Sequence, residues 1–387
     1  MRFRTCSALL LTLAACEGRP PVEPDSHDLD LARPRQHRPT IEWPNGESRT
    51  LQAAIEAAPP GARIEIQPGD FVIGSSLVVR KDLELAGAGS GRKHTGPVTR
   101  LIGPAPSRVA DEEGRLILPA DAAEPLIATL GADLVVRDLV LTGSDAGILA
   151  KDEEGIPSNT TVRDVVVDQS GRGIVAIGPG TLSVEDTDIL ATTWHGISVS
   201  GGLGQLFLKD VKIVGAGCAG VYVEDVEQSV VTSNVSVIGA LCGGIVGFET
   251  SGLILDSVLL SNRYAGIVLV EAPVFLILDN VIQNTLAIGV SQVAGDAIAL
   301  FLSPDVTVEN NLTFQSARAG VAAYGSNVTI GDNTLICSAF DIDNEIHEGV
   351  PTTFDDEGGN QCGCGGPLGA CEAVSSQILP PPPVSEP

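Results

Sequence analysis

The hydrophobic positions of the chain fall into short runs of β-branched residues, and most runs begin at a glycine. The recurring phrases are AGILA, RGIVAI, HGISVS, AGVYVE, GGIVGF, AGIVLV, IGVSQV and AGVAAY. Their glycines stand at intervals of 26, 23, 24, 24, 22, 23 and 31 residues, and they are Gly147, Gly173, Gly196, Gly220, Gly244, Gly266, Gly289 and Gly320. The longest interval holds an insertion around AGDAIALFLSPD. A period in the low twenties predicts a solenoid of stacked coils.

A column of polar residues precedes most of these glycines by nine or ten positions. A row of carboxylates could bind calcium, but Asp, Asn and Ser at a tight corner also bond the neighbouring backbone. One position earlier, residues such as Arg137 and Glu185 mix both signs of charge, which is typical of a solvated face. We therefore interpret the column as a structural corner, formed by Asp138, Asp164, Asp186, Asp210, Asn234, Ser257 and Asn280.

The repeats and the segment before them resemble the right-handed parallel β-helix of the pectate-lyase-like superfamily. No coil supplies the L-x-x-L-x-L-x-x-N skeleton of leucine-rich repeats. The segment RTLQAAIEAAPPGARIEI predicts an amphipathic helix over residues 51–58, stopped by Pro-Gly. In that superfamily such a helix caps the N-terminal mouth of the coils and shields the open strand edge. The resemblance covers residues 41–350 and implies an all-β fold, a right-handed parallel β-helix (solenoid) with a short N-terminal capping helix.

The cysteines follow the same period. Cys218 and Cys242 each precede a repeat glycine by two residues and are 24 residues apart. Adjacent parallel strands lie ~4.8 Å apart, so stacked cysteines fall inside the ~4.4–6.8 Å Cα window for a disulfide. The four cysteines near the C-terminus could either form disulfides with one another or bind zinc. The CGC sequence places two of them closer together than zinc ligands usually are. We expect disulfides among Cys337, Cys362, Cys364 and Cys371.

The ends of the chain point to the cell envelope. Residues 1–15 have a basic start, an apolar run and small residues, which is the pattern of a signal peptide. Leu-Ala-Ala-Cys resembles a bacterial lipobox, which implies that Cys16 carries a lipid anchoring the protein to a membrane. Residues 16–40 read as a disordered tether, and residues 351–387 as a Cys-containing segment with a Pro-rich tail. Glu17 favours the outer over the inner membrane in this reading.

Catalytic candidates are few. The superfamily includes lyases, hydrolases, esterases, epimerases and binding proteins, so the fold does not choose an activity. Asp186, Asp188 and His195 are candidates by resemblance to polygalacturonases, although paired Asp residues and an Arg-Ile-Lys are missing. Arg263 and Arg318 could take the proton in a calcium-dependent lyase.

Cofactors and partners are limited by charge. Asp341, Asp343 and Glu345 alternate as calcium ligands can, so calcium is the one candidate cofactor; a solvated acidic loop is the alternative. The formal net charge of −26 argues against nucleic acid and favours a neutral glycan or an envelope protein as partner. Trp194 and Tyr264 occupy the position of the stacked cysteines and would lie ~14 Å apart, which suits glycan contact. A place in the core is the alternative for both rings.

Three functions remain open. The first hypothesis is a membrane-anchored, extracytoplasmic and non-catalytic recognition protein for a glycan. The second is a polysaccharide lyase or glycoside hydrolase without recognisable family motifs. The third is a structural envelope or adhesion spacer. A carboxylate pair or an Arg–carboxylate–calcium cluster converging in one groove would favour the enzyme. A flat face with Trp194 and Tyr264 exposed would favour recognition, and a face without either would favour the spacer.

Overall fold

A computed structural model describes residues 38–46, 48–92, 96–106, 109–110, 116–117, 124–287 and 294–376. The predicted signal peptide, Cys16, the tether up to residue 37 and the tail from residue 377 lie outside the described residues, as does Gly289. The first strand begins at Thr40, one residue before the predicted domain boundary. The described residues contain one helix, Leu51–Ala57, and no helix among them is long and apolar enough to cross a bilayer.

Each coil of the chain contributes strands to three faces of a parallel β-solenoid. Faces 1 and 2 meet at a corner and form one 21-stranded hydrogen-bonded sheet, and face 3 is a 12-stranded sheet. Four long strands pass through the corner and belong to both faces 1 and 2, namely Leu134–Thr142, Ser158–Asp168, Gly180–Leu190 and Leu203–Val214. One antiparallel hairpin lies outside the faces and pairs Val109–Ala110 with Leu116–Ile117.

The remaining strands follow the same order in every coil. Face 1 also contains Thr40–Trp43, Ala62–Ile66, Leu83–Ala86, Val226–Ser233, Gly252–Leu255, Phe275–Leu278, Val306–Glu309, Asn327–Gly331 and Thr353–Gly358. Face 2 also contains Gly69–Val72, Thr99–Ile102, Ser236–Ile238, Val258–Leu260, Val281–Gln283, Leu312–Phe314, Thr334–Ile336 and Gln361–Gly363. Face 3 contains Leu77–Val79, Pro125–Leu130, Ala146–Lys151, Arg172–Ile177, Ile197–Ser200, Ala219–Glu224, Gly243–Phe248, Ala265–Val270, Asp296–Phe301, Ala319–Tyr324, Phe340–Glu345 and Ala373–Val374.

The repeat glycines stand where the chain enters face 3 and has no room for a side chain. A Cβ on Gly220 would lie 2.3 Å from Val237 Cγ1, which points inward from face 2, and 2.7 Å from the carbonyl oxygen of Gly244. The residue directly after the repeat position faces the core, and these residues stack through nine coils as Ile148, Ile174, Ile197, Val221, Ile245, Ile267, Ile298, Val321 and Ile342. All nine are buried. The core is therefore a narrow stack of aliphatic side chains.

The coil after Gly266 differs from the prediction. Ala265 pairs with Asp296, and Ile267 pairs with Ile298, so Ala297 occupies the position assigned to Gly289. The insertion precedes the strand Asp296–Phe301, and the DAIALF phrase is the coil itself. The misassignment arose because this coil has alanine in place of the repeat glycine.

The corner between faces 1 and 2 is turned by one residue in the left-handed conformation. Its φ values lie between 49 and 58° at Asp138, Asp164, Asp186, Asp210, Asn234, Asp256, Asp279, Asn310 and Asp332. The first five residues of the predicted polar column, from Asp138 to Asn234, are therefore confirmed as corner residues. Ser257 and Asn280 were placed one residue off. They are buried inside the solenoid, where Ser257 N donates to Asn280 Oδ1 and Asn280 N donates to Asn311 Oδ1.

The helix closes the first open edge of face 3. Thr50 Oγ1 accepts a hydrogen bond from Ala53 N, which caps the helix N-terminus. Val78 N donates to Gln52 Oε1 at 2.9 Å, and Gln52 Nε2 donates to Val78 O at 3.2 Å. The Gln52 amide therefore satisfies backbone groups that would otherwise offer a pairing edge to another chain.

The solenoid continues beyond the predicted boundary at residue 350. Thr353–Gly358 and Gln361–Gly363 extend faces 1 and 2, and Ala373–Val374 extends face 3. Two disulfides hold this last coil, Cys337–Cys364 and Cys362–Cys371, with Cα separations of 4.5 and 4.9 Å. Cys218 and Cys242 are bonded across adjacent coils with a Cα separation of 4.5 Å, as their interval predicted. The pairing leaves no thiolate among these six cysteines for zinc.

Candidate functional site

The outer surface of face 3 carries a continuous row of four rings, here called the aromatic row. It consists of Trp194, His195, Tyr222 and Phe248, which come from three consecutive coils. Successive ring centroids are 5.4, 4.9 and 5.6 Å apart, within the range of favourable ring–ring contact. Alternation along the strand explains the placement, because Tyr222 points outward between Val221 and Val223, which belong to the core.

The two rings at the ends of the aromatic row are partly exposed to solvent, and the two rings in the middle are buried. Trp194 and Phe248 are half-buried, whereas His195 and Tyr222 are only 1% and 3% exposed. Tyr222 Oη lies 3.3 Å from Glu224 Oε2 and donates to it. The row therefore offers two partly open aromatic surfaces on a rigid centre, with a carboxylate beside it.

His195 is a neutral member of the row. Burial first, and then the nearby charge of Arg172, lower the pKa of His195 to about 3, and the hydrogen bond with Ala219 opposes them. Its Nδ1 accepts from Ala219 N at 3.2 Å, so the neutral ring carries its proton on Nε2. An imidazole held neutral in this way packs like an aromatic ring and does not act as a base near neutral pH.

Farther along face 3 lies a buried ion pair that changes the role of one candidate, Arg318. Arg318 donates through Nε to Asp296 Oδ1 at 2.7 Å and through Nη2 to Oδ2, and both residues are buried. Burial works against the charged guanidinium, but the hydrogen bonds and charge of Asp296 outweigh it and raise the pKa of Arg318. Arg318 cannot accept a substrate proton in this state, contrary to the expectation for a lyase base.

Tyr264 takes the buried position that the sequence left open as the alternative to glycan contact. The side chain is 5% exposed and packs in an apolar cluster with Ala265 and Ala294. Gly295 N also donates to its carbonyl oxygen at 2.6 Å, so residues 294 and 295 of the insertion lie over this position. Burial raises the pKa of the phenol. Of the two predicted glycan contacts, Trp194 alone keeps an open surface.

Two of the three hydrolase candidates lie together, and the third lies apart from them. Asp186 and Asp188 lie at the corner between faces 1 and 2, whereas His195 lies on face 3. Arg92 contacts both carboxylates, with its Nε 2.7 Å from Asp188 Oδ1 and its Nη1 3.4 Å from Asp186 Oδ1. The remaining lyase candidate, Arg263, is exposed and forms no ion pair within the described part of the chain.

The calcium candidates also have other partners. Asp343 is buried and accepts hydrogen bonds from Ser376 N and Oγ, each at 3.0 Å. Glu345 accepts from the hydroxyl of Ser375 at 3.0 Å, and its other carboxylate oxygen lies 2.9 Å from Ser376 Oγ. Among the described residues, no group of three His, Cys, Asp or Glu side chains is placed to hold a metal ion, so the calcium candidates Asp341, Asp343 and Glu345 do not form such a group.

Residues 219–339 match the family model described as right handed beta helix region. The A-module of mannuronan C-5 epimerase AlgE6 from Azotobacter vinelandii is 16% identical, with a TM-score of 0.51 over 85% of this chain and 95% of that one. The catalytic domain of a GH87 alpha-1,3-glucanase in complex with nigerose is 12% identical, with a TM-score of 0.52 over 88% of this chain and 70% of that one. No curated protein matches the sequence.

The family model, the two solved structures and the parallel pairing of successive coils agree on the architecture. The chain is a right-handed parallel β-helix with the pectate-lyase-like fold.

Proposed function

We propose that the protein is an extracytoplasmic glycan-binding protein that holds a polysaccharide on face 3 through the aromatic row. The observation that carries this proposal is the unbroken contact of four rings on three consecutive coils, with Trp194 and Phe248 partly open. Aromatic faces with polar groups beside them suit partly wet contacts with the apolar faces of sugar rings. The three coils give the row a length of ~10 Å along the solenoid.

The charge of the protein narrows the glycan class. The chain has 49 acidic and 23 basic residues, so a polyanion is repelled as it approaches. Glu224 beside the row adds a local negative charge and an acceptor for sugar hydroxyls. The proposed ligand is therefore a neutral polysaccharide. The AlgE6 module and the GH87 domain, which share the fold, are named for acting on polysaccharides, and this supports a polysaccharide as the ligand.

The location is part of the same proposal. A lipid on Cys16 would tether the domain to a bacterial membrane, with the outer membrane favoured, and the domain would face an oxidising compartment. The three disulfides of the domain support an exported protein, because disulfides persist outside the reducing cytosol. Globomycin treatment of producing cells tests the anchor, because it should accumulate the uncleaved chain.

Calorimetric titration of the full chain with neutral polysaccharides tests the binding. Trp194→Ala and Phe248→Ala should each weaken binding by about tenfold, since each removes one open ring. Phe207→Ala is the matched control, because Phe207 is a half-buried aromatic residue on face 1. Equal binding by the wild type, Trp194→Ala and Phe248→Ala would refute the proposed site.

A second candidate function, a polysaccharide-modifying enzyme, is favoured by one observation. Tyr222 donates to Glu224 at 3.3 Å, and Arg172 is near enough to His195 to lower its pKa, so a phenol, a carboxylate and a cation lie on one stretch of face 3. Such groups can move a proton and stabilise a developing negative charge. Tyr222→Phe separates the two functions, because loss of the hydroxyl would abolish turnover while leaving ring contacts for binding.

A further inference from the structure

A second polar site lies away from face 3, at the corner between faces 1 and 2. In most coils one left-handed residue turns this corner. Between Leu83–Ala86 and Thr99–Ile102, however, the chain makes a longer excursion, of which residues 87–92 and 96–98 are described. The excursion brings Arg92 over the coils that follow. We call the resulting depression the corner groove, and its polar lining is Arg92, Asp186, Asp188, Asp210, Lys212, Asn234 and Ser236.

Arg92 is fixed at one end of the groove. Its guanidinium donates to Asp188 Oδ1 at 2.7 Å and to the carbonyl oxygen of Asp210 at 3.1 Å. Ser90, in the same excursion, donates from Oγ to Asp164 Oδ1 at 2.8 Å. The side chain of Arg92 is 19% exposed and that of Asp188 is 23% exposed, so each keeps a surface toward the groove. The excursion is thus bonded to three successive coils.

The other polar groups of the groove are held at fixed spacing by strand register. Asp188 pairs with Lys212, and Lys212 pairs with Ser236, so the three side chains form a column on face 2. Lys212 is exposed and makes no ion pair or hydrogen bond within the described part of the chain. Asn234 donates from Nδ2 to Asp210 Oδ1 at 2.5 Å. Donors and acceptors therefore alternate over three coils, a length of ~10 Å.

This chemistry excludes two ligand classes. A divalent cation would compete with the Arg92 guanidinium, which already occupies the space between the carboxylates of Asp186 and Asp188. An anionic polymer would meet these two carboxylates and that of Asp210. We propose that the corner groove binds a neutral saccharide, with Lys212 and Asn234 donating to its hydroxyls and Asp188 and Ser236 accepting from them. This site goes beyond the function proposed for face 3.

Saturation-transfer NMR and calorimetry of the full chain with maltotriose, cellotriose and laminaritriose test the site. Lys212→Ala should weaken binding of at least one trisaccharide about tenfold or more, because it removes a charged donor. Lys209→Ala is the control, since Lys209 is exposed in the same coil but lies on face 1. Ser236→Ala should give a smaller loss in the same direction.

The variants on the two faces separate this site from the aromatic row. The corner groove is supported if Lys212→Ala weakens binding and Trp194→Ala leaves the same binding event unchanged. It is refuted if no trisaccharide binds at millimolar concentration, or if Lys212→Ala binds as the wild type does. It is also refuted if Trp194→Ala alone abolishes all binding, and that result would support the row.

Discussion

The imidazole of His195 stacks on the phenol ring of Tyr222, with centroids 4.9 Å apart and ring planes 27° apart. The two residues come from adjacent coils, and the backbone N–H of Ala219 fixes the imidazole through Nδ1. The contact joins two coils on the outside of face 3, where the aliphatic core does not reach. It keeps the centre of the aromatic row rigid whether or not a ligand is bound.

The neutral state of His195 predicts a pH dependence of stability. Above about pH 6.5 the imidazole is neutral in both the folded and unfolded states. Between that pH and the folded pKa of about 3, the unfolded chain binds a proton that the folded chain does not. The free energy of unfolding should therefore fall as the pH falls, by up to about 1.4 kcal/mol per pH unit from this residue. Measured by urea unfolding between pH 4 and 7, the free energy of unfolding should depend less steeply on pH in His195→Gln than in the wild type, and equal slopes would contradict this account.

Breaking the Asp296–Arg318 pair should be costly. Arg318→Met leaves the Asp296 carboxylate buried without its cation, and the expected loss is about 3–5 kcal/mol of unfolding free energy. The double variant Asp296→Leu with Arg318→Met should lose less, because no charge is left unpaired. Arg80→Met is the comparison, since its ion pair with Glu153 is exposed and its removal should hardly move the urea midpoint. Equal effects of Arg318→Met and Arg80→Met would contradict a stabilising role for the buried pair.

The rung-to-rung disulfide should stabilise the middle of the solenoid. It closes a loop of 24 residues, so replacing both Cys218 and Cys242 by Ser should cost about 3 kcal/mol. Both cysteines are replaced together to avoid a free thiol. Peptide mapping without reduction should recover the Cys218–Cys242 linkage from the wild type. A wild type whose thermal midpoint is unaffected by reducing agent would argue against this contribution.

The repeat glycine is required by space, and Gly220→Ala tests this directly. The new methyl group would overlap Val237 and the backbone of the next coil, and we expect a loss of about 1–3 kcal/mol. Gly74→Ala is the matched control, because nothing lies within 4 Å of a Cβ at that position. Similar unfolding midpoints for the two variants would show that the coil relaxes to accept the methyl group.

The sequence predicted those features that repeat with the coil. A local pattern and a fixed interval were enough for the helix at residue 51, the Cys218–Cys242 bond and the repeat glycines other than Gly289. The sequence analysis missed features that depend on loops and insertions between the repeating strands. Tyr264 is covered by an insertion that follows it, and Arg92 reaches Asp188 across 96 residues from a loop with no period. The sequence analysis found only part of the aromatic row. Trp194 was singled out because it precedes a repeat glycine, whereas Tyr222 and Phe248 follow the repeat glycines of their coils and were missed.

Size-exclusion chromatography with light scattering tests glycan recognition most directly. The full chain is incubated with neutral and acidic polysaccharides, with and without calcium, and both co-elution and polymer chain length are followed. We expect the protein to co-elute with at least one neutral polysaccharide whose chain length stays unchanged, and Trp194→Ala to lose this co-elution. Shortening of any polymer would contradict non-catalytic recognition and establish an enzyme, and absence of co-elution with every neutral polymer would contradict glycan binding itself.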